Sequence, residues 1–161
     1  MNAQMPPIGT TPGLSELFVG ACMYSTVTEV RDVLKFVDDN DVDEPAQSVL
    51  NSVRALSLRG VAPSPQLVKD ELQRRGKLTR QTGVWLAAAT TSGSCASAAR
   101  HYAAALVAQA FRRQAESFGN ALRETAWTAA EADVTGLAGQ ASERIRYIAG
   151  RLAELRGGED A

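Results

Sequence analysis

Five features of this chain could do chemistry: His101, the cysteines Cys22 and Cys95, the run Gly76-Lys77-Leu78-Thr79, and the carboxylates between Asp38 and Glu44. Each would need neighbours that the sequence does not place beside it. A nucleotide site needs a glycine-rich loop ending in Lys-Ser/Thr, because backbone N–H groups must cradle the phosphates while the hydroxyl holds a magnesium ion. Gly76-Lys77 has no glycine at the right distance upstream and no hydroxyl directly after the lysine, so Gly76 reads as a helix stop. His101 is the only histidine, and a His-based metal site or a Ser–His or Cys–His couple would rest on it alone. On an alanine-rich stretch it reads as an ordinary half-buried histidine. Cys22 and Cys95 are flanked by Ala, Met and Ser rather than by further Cys or His, the pattern of reduced, packed thiols. Asp38 to Pro45 lacks the central glycine and the twelfth-position acid of a calcium loop and reads as a solvated helix cap. The expectation is a non-enzymatic chain with no catalytic residue, no cofactor and no metal.

The charges are more informative in their distribution than in their total. The formal net charge is -1, so the chain lacks the basic excess of a tight duplex-DNA binder. Yet residues 29–44 hold seven carboxylates against two basic side chains, and residues 52–80 hold seven basic side chains against two acids. Arg54, Arg59, Lys69, Arg74, Arg75, Lys77 and Arg80 could contact phosphates. No aromatic side chains interleave them to stack bases, so DNA is expected only indirectly or weakly. The two faces read either as solvated helix surfaces or as complementary patches that meet between copies or steer a partner. No apolar run approaches the roughly 18–20 residues of a membrane span, and the N-terminal dozen residues lack a signal peptide's pattern. A cytoplasmic chain with no membrane contact is expected.

With 161 residues, 45% hydrophobic and 22% charged, the composition suits one globular domain and excludes a disordered or disulfide-stapled chain. Residues 1–13, rich in Pro and Gly, read as a flexible arm. Leu14, Leu17, Phe18, Ala21 and Cys22 give a first helix, capped by Gly13 or Ser15. Val27, Val30, Leu34 and Val37 give a second, ending near Val37. Pro45 at a first helical position, capped by Asp43 or Glu44, opens a third helix with Ala46, Val49, Leu50, Val53 and Leu56 on its stripe and Gly60 as its stop. Ser64-Pro65 and Gly76 bracket a fourth over 65–75, and Gly83–Ala89 is a short fifth. Thr90–Ser94 is a loop. Residues 97–128 form one long helix, and after a break near 129–133 the positions Val134, Leu137, Ala141, Ile145, Ile148, Leu152 and Leu155 make a heptad-like seam. Val107, Phe111, Phe118, Leu122 and Ala126 make the matching seam of an antiparallel hairpin, whose 22-residue arm would be about 33 Å long. The fold class is thus all-α, a small orthogonal helical bundle over about 14–106 continuing into a long helical hairpin over about 98–156, with residues 157–161 as a frayed tail.

Several local sequences, in this order, resemble the N-terminal domain of the DnaB-type bacterial replicative helicase. They are the Pro-rich arm followed by Ser15-Glu16-Leu17-Phe18-Val19-Gly20-Ala21, the acidic approach Phe36 to Pro45, the helix and stop Val68-Lys69-Asp70-Glu71-Leu72-Gln73-Arg74-Arg75-Gly76-Lys77-Leu78, and Arg100-His101-Tyr102-Ala103. The third is closest to the family's Leu-x-x-Glu-Leu-x-x-Arg-Gly-x-Leu pattern. Val42 and Gln47 stand where the family usually has an aromatic residue and a histidine. The resemblance spans about 12–155 and implies six helices plus a hairpin. In those helicases this domain forms the ring's collar by self-association, partly through hairpin pairing, and receives the C-terminal domain of the DnaG-type primase. The RecA-like motor of the helicase has no counterpart here, which implies a free-standing relative of the collar or a fragment.

The function so implied is a protein–protein interaction module of DNA replication. It would associate with itself as a dimer or ring and bind primase, helicase or a helicase loader. Its hairpin residues would be Phe111, Phe118, Leu122, Trp127, Val134, Leu137, Ile145, Ile148 and Leu152. The alternative is a nucleic-acid-binding accessory protein using the basic 54–80 region.

Overall fold

The computed structural model describes residues 11–157. Most of the expected arm over 1–13 and of the tail over 157–161 lies outside them. Seven α-helices follow one another: α1 Leu14–Met23, α2 Val27–Leu34, α3 Ala46–Leu58, α4 Pro65–Arg74, α5 Arg80–Thr90, α6 Ala99–Thr125 and α7 Glu131–Gly157. Short 3-10 turns at Asp39–Asp41 and Ala96–Ala98 lead into α3 and α6. No strand occurs among the described residues.

α1 is the axis of the bundle. Phe18 to Met23 are buried without interruption, as expected of a helix surrounded on all sides, and α1 packs against α3, α5 and α6. Gly20 marks the tightest approach: a Cβ there would lie 2.5 Å from the Ala89 carbonyl oxygen and 2.5 Å from Ser94 Oγ. Around α1 gather Val30, Val33 and Leu34 of α2, Val49, Leu50 and Val53 of α3, Val68 and Leu72 of α4, and Ala103, Leu106 and Val107 of α6.

Local signals explain most boundaries. α2 opens with a reciprocal capping box between Thr26 and Glu29. α3 and α4 stop at Gly60 and Gly76, both at positive φ, with Val61 N–H and Lys77 N–H reaching back to the carbonyls of Leu56 and Leu72.

Three boundaries differ from the sequence reading. α2 ends at Leu34 rather than near Val37, because Arg54 Nη1 of α3 takes the Leu34 carbonyl at 3.0 Å while the Asp38 N–H donates to the Asp41 carboxylate at 2.8 Å. Both groups of the next helical hydrogen bond are thereby used elsewhere. Pro45 is the residue before α3 rather than its first, following a cis Glu44–Pro45 peptide. The Glu44 carboxylate accepts from the Ser48 N–H and hydroxyl. α5 begins at Arg80, three residues before Gly83, because the Thr79 hydroxyl caps it by accepting the Thr82 N–H.

Candidate functional site

The hairpin is built from two 27-residue helices, each about 40 Å long. Its proximal half belongs to the core. Ala103, Ala104, Leu106, Val107 and Ala110 of α6 are buried, as are Ile148, Arg151 and Leu155 of α7. The three deepest apolar positions of α7, Ala141, Ile148 and Leu155, are seven apart, which is the seam that the heptad spacing describes. Arg100 of α6 closes this end by donating to the carbonyls of Leu155 and Glu154.

The distal half is different. Ala110 is the last buried residue of α6 and Ala141 the first of α7. Between Arg113 and Arg144 no hydrogen bond or ion pair among the described residues ties the arms to the bundle. Phe118, Leu122, Val134 and Leu137 there are only half-buried, and Trp127, in the turn joining the helices, is 95% exposed. The sequence-expected residues therefore divide. Ile148 is wholly buried in the bundle core, with half-buried Phe111 and Leu152 packed against it. Phe118, Leu122, Val134, Leu137 and Ile145 are half-buried along the arms, whereas Trp127 is almost fully exposed.

The acidic segment is a solvated cap only at its end, where exposed Glu44 accepts from the Ser48 N–H; its first half is engaged by the hairpin. Asp41 is 2% exposed and lies opposite Arg151 of α7, itself 6% exposed. Arg151 Nη1 donates to Asp41 Oδ2 and to the Phe36 carbonyl, and Nη2 donates to Asp41 Oδ1 at 3.1 Å. Asp38 stands 3.5 Å from the same guanidinium and 3.8 Å from that of Arg144, and it accepts a hydrogen bond from the Tyr147 hydroxyl. The Tyr147 ring lies beneath both arginines, a cation–π arrangement. Arg113 of α6 donates to the Asp41 carbonyl, and Arg54 of α3 pairs with Asp39. Burial works against the Arg151 charge, but the Asp41 bonds and the nearby Asp38 outweigh it and raise its pKa. Four arginines from three helices thus grip one short turn and fix the hairpin's root to the bundle. Composition could not reveal this, because the partners lie about 110 residues apart; the signal was Arg144, Tyr147 and Arg151 on one face of α7.

The basic residues divide as well. Arg54 is a strut, holding the Leu34 and Val37 carbonyls besides Asp39. Arg59, Arg74 and Arg75 converge on the Glu71 carboxylate, which is 2% exposed and whose pKa falls to about 2, chiefly through the Arg59 hydrogen bond. Lys69, Lys77 and Arg80 are exposed and form no ion pair among the described residues.

Among the described residues no group of three or more His, Cys, Asp or Glu side chains could hold a metal ion, and no helix is long and apolar enough to cross a membrane. Cys22 is buried, its thiol pushed up to about 12 by desolvation. Cys95, expected to be packed, is instead exposed just before the turn that leads into α6, and its thiol pKa is lowered chiefly by the Ser97 hydroxyl. His101, expected half-buried, lies on an exposed face of α6.

No protein-family model and no curated protein sequence matches the chain. Among solved structures, the crystal structure of the N-terminal domain of DnaB helicase from Mycobacterium tuberculosis superimposes on it with a TM-score of 0.71 and 25% identity, covering 84% of this chain and 99% of that one. The chain has the DnaB N-terminal-domain fold. The likeness agrees with the resemblance read from the sequence at the level of the fold.

Proposed function

We propose that this chain is a non-enzymatic interaction module of DNA replication, acting in the cytoplasm. In this reading it self-associates as a dimer or ring through the distal hairpin and binds a primase, a replicative helicase or a helicase loader. The observation that carries the reading is the distal hairpin, residues 111–125 of α6 against 131–140 of α7, ~15–22 Å long, with half-buried apolar residues and a fully presented tryptophan at its turn. Two isolated helices of this length are marginal in water, and a second surface against the arm would bury the remaining apolar area. Tryptophan is enriched among the residues that dominate such interfaces. The helicase fold adds the class of work.

The alternative, a nucleic-acid-binding accessory protein, draws support from the exposed Lys69, Lys77 and Arg80. It is weakened because Arg54 is engaged by the fold and because Trp127, Tyr24 and Tyr147, the exposed aromatics among the described residues, lie outside the 54–80 region. The test is light scattering of the chain alone and with a primase C-terminal domain from the same organism, beside a gel-shift titration at two salt concentrations. A stable oligomer that gains mass with primase supports the interaction module. A monomer inert to primase, helicase and loader refutes it, and DNA binding that weakens steeply with salt favours the alternative.

A further inference from the structure

The arginine cluster around Glu71 holds more positive charge than the fold requires. One carboxylate is satisfied by a single bidentate guanidinium, and Arg74 alone provides that through Nε and Nη2. Arg59 Nη2 at 2.7 Å and Arg75 Nε at 2.7 Å nevertheless bind the same group. The four side chains together carry a net charge of +2. Glu71 is almost wholly buried, whereas the Arg59, Arg74 and Arg75 side chains are 46%, 61% and 40% exposed. Each guanidinium has five N–H donors, and Arg59 and Arg75 commit one nitrogen each to Glu71, leaving the rest for an outside acceptor. Glu71 acts as a buried pin that holds three forks in place, so an anion docking there does not have to order three long side chains.

Two features on the molecule select the occupant. Among the described residues no aromatic ring stacks on Arg59, Arg74 or Arg75, the ring–guanidinium contacts being those of Arg100, Arg144 and Arg151, so nothing here supplies a stacking platform for bases. Of the chain's own acidic run, Asp38 and Asp41 are held by Arg151 and Asp39 by Arg54, which leaves Asp43 and Glu44 as its exposed acids, too short a stretch to occupy three guanidinium forks from a second copy. We propose that the Arg59–Arg74–Arg75 cluster is a docking site for an acidic segment of a partner protein, recognised through its side-chain carboxylates. This surface is separate from the hairpin, and the inference does not rest on the helicase reading.

The test is fluorescence anisotropy on the full chain with three labelled probes at one fixed salt concentration: a ten-residue glutamate peptide, the matching glutamine peptide, and a ten-nucleotide thymidine oligomer of similar charge. The glutamate peptide is expected to bind, the glutamine peptide not, and the oligomer more weakly. Arg74→Glu with Arg75→Glu should lower peptide affinity by at least about tenfold, and Arg74→Gln, at the most exposed position, should give a smaller loss if the double variant does not fold. Glu71→Gln separates a held cluster from mere charge. It makes the patch more positive, yet by releasing the three forks it should weaken peptide binding. Tighter binding by Glu71→Gln, equal or tighter binding of the oligomer, or peptide affinity unchanged in a folded Arg74 variant would each overturn the proposal.

Discussion

Replacing Asp41 by Asn tests whether the acidic turn anchors the hairpin or merely caps a helix. The substitution keeps the side chain's shape but removes the charge facing Arg151, which is 6% exposed and whose Nε is already buried without a partner among the described residues. Breaking a buried ion pair from one side costs about 3–5 kcal/mol. Here Asp38 remains 3.5 Å from the guanidinium and an asparagine oxygen can still accept one bond. The expected loss is therefore nearer 2–3 kcal/mol, or roughly 4–12 °C in Tm for a chain of this size. Arg151→Met alone should cost a similar amount by leaving Asp41 buried with the Asp38 N–H as its chief donor. The double variant Asp41→Asn/Arg151→Met should recover at least half of the summed loss, because a buried pair can be replaced by apolar volume at little net cost. Urea unfolding gives these energies. Hydrogen exchange should show residues 141–157 losing protection before α1 and α3. If Asp41→Asn lies within about 0.5 kcal/mol of the parent chain, the range of an ordinary surface change, the turn is a solvated cap after all.

Three further outcomes follow from the packing and charge. Gly20→Ala places a Cβ 2.5 Å from the Ala89 carbonyl oxygen, so denaturant unfolding should show a loss of about 1–3 kcal/mol, whereas Gly119→Ala, with open space around it, should be neutral or slightly stabilising. Glu71 has a folded pKa lowered from 4.5 to about 2, so its stabilisation is complete above pH 4.5 and is lost as pH falls toward 2. Discounted for the half-exposed arginines, it amounts to about 1–2 kcal/mol, and Glu71→Gln should be less stable at neutral pH yet flatter over that acid window in a pH series of urea midpoints. Ile148→Ala should cost about 2–5 kcal/mol, since Ile148 is wholly buried in the core. Ile148→Asp should therefore unfold the chain rather than only separate copies, which circular dichroism distinguishes from a change of mass.

The fold was legible where local and periodic signals coincide. Ser64-Pro65 with Gly76 and the seven-residue spacing of Ala141, Ile148 and Leu155 each act through neighbours in sequence. The end of α2 was not legible, because it is decided by Arg54 arriving from α3. The acidic turn was misread for the same reason: its neutralising partner Arg151 lies on the far side of the hairpin. Basic residues that share a stretch of sequence had one apparent role, yet the structure divides them among a strut at Arg54, a cluster on Glu71, and the exposed Lys69, Lys77 and Arg80. The hairpin residues expected to serve association include both Ile148, wholly buried in the core, and Trp127, 95% exposed, because apolar character alone does not say which surface covers a side chain.

The most direct test of the interaction-module reading is the solution mass of the chain by light scattering across the micromolar range, for the parent and for Trp127→Ala. Trp127 is 95% exposed, so its replacement should leave stability within about 0.5 kcal/mol. The account predicts a dimer or larger assembly for the parent that dissociates more readily in the variant, with circular dichroism unchanged. A parent chain that stays monomeric throughout that range would contradict it.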